Sequence, residues 1–248
     1  MANFKPLKGY IIYLIDKLIE KYRLEPPFID IGCGIGDVSH HLAKKDWGGL
    51  SIDISPDAIH KTKTLLSNYN LVKVERDDIR DVSGKFNIAL LLDVIEHVED
   101  DVELLNHTYE KLNRGGYIIL TTPSNKKEWS WDDTFYGHFR RYNSLDIKKK
   151  LNSSKYEVIK IWDFTYPLFW LMRRFYVNTF FLSKSEINMT VKDRTILSSG
   201  RSAWMFPFAE KIFSWDSNFW DKIYDFHYHK YRKKVSSGHE MIVLARKD

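Results

Sequence analysis

Phe28-Ile29-Asp30-Ile31-Gly32-Cys33-Gly34-Ile35-Gly36-Asp37 is the stretch on which the reading of the fold turns. Phe28 to Ile31 reads as a short apolar strand, the glycines that follow as a tight turn, and Asp37 to Lys45 as a helix. Glycine has no Cβ, so a turn of this kind also lets a ligand approach the backbone closely. Many nucleotide-binding folds share a strand, a glycine-rich turn and a helix, so the segment alone names no ligand.

Outward from this turn, strands and helices alternate. Upstream, Ile11, Ile12, Leu14, Ile15, Leu18 and Ile19 fall at helical spacing among charged residues, the pattern of an amphipathic helix lying on the domain. Downstream, Leu50 to Asp53 reads as a strand, and Ser55 with Pro56 opens a helix as N-cap and first helical residue. Leu71 to Val74 and Phe86 to Leu92 read as strands, Asp100 to Leu112 as a helix, and Gly115-Gly116 leads into the strand Tyr117 to Thr122. Ile88 to Leu92 is apolar without alternation, as in a strand covered on both faces. Tyr156 to Trp162 and Met241 to Ala245 bring the strands to seven. The expected fold is α/β, a doubly wound and mostly parallel sheet.

Between the last two strands the style changes. Twenty of the 37 aromatic residues fall within 162–182 and 204–231, too many for a linker. This predicts an aromatic-rich helical lid over residues 164–238, inserted before the last strand, with residues 1–163 plus 239–248 forming the ligand-binding core. The run beginning at Phe164 approaches the length of a membrane span. Pro167 and Arg173-Arg174 argue against one, because an arginine at mid-bilayer costs about 2.5–3.5 kcal/mol even on the lenient insertion scale. The aromatics form either the lid's own core or, in part, an apolar acceptor pocket or a face for a membrane surface.

The composition agrees with one domain and an elaboration: 248 residues, 44% hydrophobic and 29% charged, enough to bury a sizeable core. The N-terminus lacks a basic-then-apolar signal pattern, and the single cysteine, Cys33, excludes an intrachain disulfide. Both predict a cytoplasmic protein. The net charge of +5 admits an acidic partner without demanding one, since most basic residues are interleaved with acids. The densest basic run, Lys230 to Lys234, is short and suits a solvated helix end. His227 and His229, two apart on a helix, point to different sides, and no metal is predicted.

Three details separate the glycine turn from a nicotinamide dinucleotide site. The spacing is G-x-G-x-G and not the G-x-G-x-x-G that cradles a pyrophosphate. Asp30 stands just before the turn, where it suits a cationic amino group and would sit poorly beside a pyrophosphate. Asp53, Asp78 and Asp93 fall at strand ends, where such sheets open their ligand crevice.

Further motifs follow in order: Ile52-Asp53-Ile54-Ser55, Arg76-Asp77-Asp78-Ile79, Leu92-Asp93-Val94-Ile95-Glu96-His97-Val98, and Leu112-Asn113-Arg114-Gly115-Gly116 ahead of Thr121-Thr122-Pro123-Ser124. Over about residues 28 to 162 the chain resembles the class I S-adenosylmethionine (SAM)-dependent methyltransferases, particularly the broad group containing the ubiquinone-biosynthesis O-methyltransferases. The resemblance implies a Rossmann-like methyltransferase fold closed by an antiparallel last strand, Met241 to Ala245. It implies SAM as cofactor and S-adenosylhomocysteine as product. Asp30, Gly32, Cys33, Gly34 and Gly36 would line the methionine and ribose, Asp53 and Ile54 the ribose, Asp78 and Ile79 the adenine, and Asp93 the edge of the methionine. Cys33 belongs to this loop and is not expected to act as a nucleophile.

Methyl transfer from a sulfonium is an in-line displacement by an acceptor, so the protein has mainly to align the acceptor and exclude water. A base is needed only where the acceptor must lose a proton. Trp129, Trp131, Tyr136, His138, Arg140, Arg141 and Tyr142 cluster after the fifth strand and are the candidate acceptor residues. The His-x-Arg-Arg-Tyr element resembles one in members of this group that act on small molecules or glycans. His138 is the first candidate base, and histidine as a residue type titrates near neutrality; a structural histidine tying the loop down is the alternative. His97 is the second candidate: by the resemblance Glu96 and His97 face the cofactor, and the alternatives are Glu96 capping the following turn and His97 packing beneath it. Arg140 and Arg141 either grip an acidic acceptor or pair with Asp132 and Asp133.

The expected activity is methylation of a small-molecule acceptor, on oxygen, of a natural-product, quinone-like or glycan-linked kind. A lipophilic acceptor and contact of the lid with a membrane surface fit the aromatics. The alternative is an RNA or protein methyltransferase. Against nucleic acid, the fourth strand ends in Leu92-Asp93-Val94-Ile95 and lacks the Asn/Asp-Pro-Pro-aromatic signature of base-amine methylation. No cysteine nucleophile stands there for pyrimidine C5 chemistry.

Overall fold

The computed structural model describes residues 5–179, 190, 193–194, 217–231 and 238–248. Its centre is a seven-stranded sheet in the order β3-β2-β1-β4-β5-β7-β6. The strands are β1 (Phe28–Ile31), β2 (Gly49–Ile52), β3 (Val72–Glu75), β4 (Phe86–Leu92), β5 (Leu112–Pro123), β6 (Tyr156–Asp163) and β7 (Glu240–Lys247). β1 to β5 pair in parallel, while β7 runs antiparallel to both β5 and β6. The doubly wound, mostly parallel sheet expected from the βα repeats is therefore present, with its antiparallel closing strand. Boundaries differ by a residue or two, as in β2. β5 begins five residues earlier than the apolar run suggests. There Leu112 pairs with Phe86 across a register shift that absorbs Gly115, whose φ is +76°.

Helices cover both faces: α1 (Pro6–Tyr22), α2 (Asp37–Ala43), α3 (Pro56–Leu65), α4 (Asp101–Lys111), α5 (Trp131–Tyr136), α6 (Ser144–Ser153), α7 (Leu168–Thr179) and α8 (Ser217–Tyr231). Alternate residues of β4 face opposite cores. Ile88, Leu90 and Leu92 join Leu14, Phe28 and Ile119 on one side, while Ala89 and Leu91 join Ile29, Ile118 and Val243 on the other. That is why the strand shows no polar alternation. Ser55 caps α3 by accepting from the backbone N–H of Ala58 at 3.4 Å, with Pro56 at the first turn.

α7 and α8 pack on α1 through aromatic side chains. Tyr10 stacks on Phe169 at 4.9 Å and on Tyr224 at 5.3 Å between ring centroids. Tyr224 OH donates to the Pro6 carbonyl at 2.9 Å, and His227 Nδ1 lies 3.0 Å from Tyr10 OH. Part of the aromatic-rich segment thus belongs to the core of the domain itself, whereas Leu171, Phe175, Phe219 and Phe226 are exposed. The rest of the expected lid, residues 180–189, 191–192, 195–216 and 232–237, lies outside the described residues, as does the end of the basic run. Among the described residues no helix is long and apolar enough to cross a membrane.

Candidate active site

At the C-terminal ends of β1, β2 and β4 the backbone itself shapes a ligand crevice. Gly32 and Gly36 adopt φ of +68° and +82°, where a side chain would be strained. Space is short as well: a Cβ on Gly32 would lie 2.5 Å from Cγ2 of Val94, and one on Gly36 would lie 2.7 Å from Cγ2 of Thr62. The Cys33 N–H donates to the Ile52 carbonyl at 2.9 Å and fastens the turn to β2.

Two buried carboxylates flank the turn. Asp53 takes the Gly34 N–H on Oδ2 at 3.0 Å and the Ser55 N–H on Oδ1 at 2.8 Å. The backbone at Ile54 acts on it as well, and a carboxylate has about four acceptor sites, which leaves capacity for a ligand hydroxyl. Asp30 accepts from Ser39 Oγ at 2.5 Å, and burial pushes its carboxyl up to about 6, with Ser39 opposing the shift. A buried anion held this poorly suits a cationic ligand group. The Cys33 thiol is pushed up by burial and by Asp30 and Asp53, which disfavours the thiolate, the nucleophilic form.

At the other end of the crevice Ile54 is 50% exposed and offers an apolar surface next to Asp53. Ile79 is buried, so it supports the site from beneath. Asp78 is turned to Arg80, which holds both its oxygens at 3.0 Å. Asp93 sits at φ +57°, a strained position for a residue with a side chain, and accepts from Thr121 Oγ1 at 2.7 Å.

The loop that carries the candidate acceptor residues centres on the buried carboxylate of Asp133. Its Oδ1 takes His138 Nδ1 at 2.8 Å and Arg141 Nε at 2.7 Å; its Oδ2 takes the Ser130 N–H at 2.8 Å and Arg173 Nη2 at 3.2 Å. Burial pushes the carboxyl up, but the His138 hydrogen bond and the Arg141 charge outweigh it and hold it at about 2. The His138 ring meets His97 edge-on, 4.7 Å between centroids. Burial, with His138 beside it, pushes His97 down to about 3 and keeps it neutral.

The remaining sequence candidates separate into two groups. Arg141 is buried, and its Nη1 donates to the carbonyls of Ser124 and His239, so it ties the loop to β7 and does not face an acceptor. Tyr142 is buried, donating to Asp101 Oδ2 at 2.7 Å. Arg140 pairs with the same Asp101 at 2.7 Å and with the Glu99 carbonyl, not with Asp132; Asp132 is instead held by Arg173 of α7. Trp129 is exposed, Tyr136 is half-buried near His138, and Trp131 donates to the Val177 carbonyl. Glu96 is fully buried and accepts from Thr122 Oγ1 at 3.1 Å, so it does not cap the turn, the alternative the sequence offered for it. The sequence reading named Asp133 only as a partner for the arginines, which it is for Arg141, and missed it as the partner of His138. The Ser130-x-x-Asp133 spacing, a helix-capping signature, was the available signal.

A family model described as a methyltransferase domain matches residues 6–161. Over 120 residues the chain is 29% identical to the mitochondrial ubiquinone biosynthesis O-methyltransferase of Saccharomyces cerevisiae, covering 46% of this chain and 38% of the relative. Over 128 residues it is 26% identical to the ubiquinone biosynthesis O-methyltransferase of Pseudomonas aeruginosa, covering 49% and 55%. The chain thus spans about half or less of the length of these curated relatives. Among solved structures, magnesium protoporphyrin IX methyltransferase from Synechocystis with bound S-adenosylhomocysteine aligns at TM-score 0.57 and 15% identity, over 100% of this chain and 89% of that one. The cyclase SpnF aligns at TM-score 0.60 and 16% identity, over 95% and 81%. At such identities the likeness carries the fold, and the two neighbours perform different chemistry on it.

Proposed function

The chain belongs to the methyltransferase-domain family and has the class I fold whose methyl donor is SAM, and on that premise we propose that it methylates an oxygen of a small-molecule acceptor. The observation that carries this reading is the Asp133–His138 pair, 2.8 Å apart at the acceptor end of the sheet. A bound SAM supplies a methyl group already activated on a sulfonium and leaves as S-adenosylhomocysteine. The residues at the crevice fit it: the Gly32 turn leaves room where a Cβ would clash, Asp30 offers an anion to the amino group, and Asp53 offers acceptors to the ribose hydroxyls.

The protein's own part is positioning and proton handling. Asp133 takes the N–H of His138 Nδ1, which leaves the Nε2 lone pair for the acceptor's hydroxyl proton. Neutral His97 packs edge-on to that ring and holds its plane. Trp129 and Tyr136 offer aromatic surface to an acceptor; Arg141 and Tyr142 fix the loop that carries them. Substrate alignment of this kind is the largest part of what catalysis of such a displacement requires.

The names of the curated relatives support oxygen as the methylated atom and a quinone-like acceptor, with natural products and glycan-linked molecules as the wider class. The exposed Leu171, Phe175, Phe219 and Phe226 support a lipophilic acceptor or one presented at a membrane surface. The test is transfer of labelled methyl from SAM into a cell extract, split into organic-soluble, small aqueous and macromolecular fractions. Label in either small-molecule fraction is expected. Label confined to macromolecules would replace this reading with an RNA or protein substrate.

A further inference from the structure

α7 has two faces at helical spacing. Phe169 and Arg173, four residues apart, are buried, whereas Leu171 and Phe175, also four apart, are exposed. Phe169 stacks on Tyr10 of α1, and Arg173 enters the loop that carries His138. There its guanidinium meets two neighbouring carboxylates at once. Nε and Nη2 donate to Asp132 Oδ2 at 3.1 Å and Oδ1 at 2.7 Å, and Nη2 also reaches Asp133 Oδ2 at 3.2 Å. Nη1 donates to the Glu128 carbonyl at 3.2 Å. We propose that Arg173 is a positioning residue for methyl transfer: it holds Asp133 against His138, so the ring is set to accept a proton only with α7 docked on α5.

α5 has six residues, too few for a helix to hold its own shape, so partners from elsewhere must fix Asp133. The Ser130 N–H on Oδ2 belongs to the same short turn and moves with it. Arg141 ties the loop to the His239 carbonyl ahead of β7, and Arg173 ties it to α7. Farther along α7, the Val177 carbonyl takes the Trp131 Nε1 proton at 2.8 Å, a second tie between the two helices.

Charge sets the need for Arg173. Asp132 and Asp133 are buried side by side, and burial pushes the Asp132 carboxyl up, with the Arg173 charge opposing. Two such carboxylates stay ionised together only with counter-charge beside both. Without Arg173, Arg141 would face both, and one carboxyl would take up a proton or turn away from its donors. Either change loosens the bond that keeps the His138 proton on Nδ1 and the lone pair on Nε2. Lysine would be a weaker substitute, since a point charge lacks the fork that spans two carboxylates. Arg173 also lies beyond residue 161, where the match to the methyltransferase-domain model ends. The glycine-turn crevice thus lies within the matched region, while the proposed base is oriented by a helix outside it.

The inference rests on His138 as the base, and the experiment separates the two. Imidazole 15N spectra of the full chain at about pH 8, where histidine is neutral as a residue type, report which ring nitrogen holds the proton. The His138 signals are identified by their loss in His138→Gln. The unaltered chain is expected to show His138 protonated on Nδ1, and Arg173→Met a mixture of the two tautomers. Methyl transfer from labelled SAM into the extract fraction that takes up label should fall by about 10- to 100-fold in Arg173→Met, the scale of a group misplaced by about 1 Å. Arg173→Lys should fall between. In the His138→Gln background Arg173→Met should have no further effect, because a residue acting through the ring has nothing left to place. SAM binding and thermal unfolding show that each variant is folded. Should Arg173→Met fail to fold, Arg173→Lys takes its place in both measurements. An unchanged tautomer, or the same loss of transfer with and without His138, overturns the inference and leaves the base. Full transfer by His138→Gln removes the base itself, and with it any use of the clamp.

Discussion

Asp133 Oδ1 lies 2.8 Å from His138 Nδ1, and that one contact decides which nitrogen of the ring can act. A carboxylate held at about 2 remains ionised throughout the working range and orients the imidazole at all useful pH values. His138→Gln is therefore expected to lower kcat by about 10²- to 10⁴-fold, the usual worth of proton transfer by a placed group. SAM affinity should stay within twofold, because the partners of the ring are Asp133, His97 and Tyr136 and not the residues of the glycine-turn crevice. Unchanged turnover would remove His138 from the reaction.

Asp53 shapes the glycine turn and is the proposed partner of the ribose. Replacing it removes two backbone anchors and the proposed hydroxyl acceptors together. Asp53→Ala should weaken SAM binding by about 10- to 100-fold, from the 1.5–3 kcal/mol typical of a charged hydrogen bond. Calorimetric titration reads this directly, and an unaltered dissociation constant would place the ribose elsewhere.

Asp30 makes cofactor binding depend on pH. Burial raises its carboxyl to about 6 in the fold. A raised acid favours the folded state below its unfolded value near 3.9, and this contribution is lost as pH rises through 6. Above pH 6 the folded chain carries a costly anion, which the amino group of SAM then offsets. The stabilisation that SAM confers should therefore grow between pH 5 and 7, by up to about tenfold in affinity per pH unit below 6. Thermal unfolding with and without SAM across that range measures it; a flat increment would rule out Asp30 as the amino-group partner.

His227 sets a second, independent pH dependence, in the packing of α8 on α1. Burial lowers it to about 4, with the backbone at Tyr166 opposing. A depressed histidine stays neutral in the fold while the unfolded chain takes up a proton below about 6.5. Its contribution is full above that value and is lost as pH falls through 4. The urea midpoint should therefore drop from pH 6.5 towards 4, and His227→Gln should flatten that slope whatever it does to the midpoint at neutral pH. An identical slope in the variant would assign the effect to other groups.

What the sequence disclosed was local. The glycine turn, the Ser55-Pro56 helix start and the unbroken apolar run of β4 are each written within a few residues, and each is found where expected. The acceptor side was less legible because its bonds are long-range. Glu96 reads as a cap from its neighbours, yet its partner is Thr122, 26 residues away on β5. Asp132 reads as a partner for Arg140, yet Arg173 reaches it from α7 across 41 residues. The meeting of His97 with His138 depends on the crossover between β4 and α5, for which no spacing rule exists. The six residues of α5 are too few to show a period.

β7 lies between β5 and β6 although it follows both in the chain, and among the described residues β6 has no other strand beside it. A nascent polypeptide can therefore assemble β1 to β5 and the glycine turn as it emerges, but β6 must wait with an open edge. The same late strand brings in the His239 carbonyl that receives Arg141 across 98 residues, a closure that is slow in entropic terms. The two halves of the candidate site thus depend on chain made at different times: the glycine-turn crevice needs only the early strands, and the loop that carries His138 gains its Arg141 anchor only when the final strand takes the place between β5 and β6.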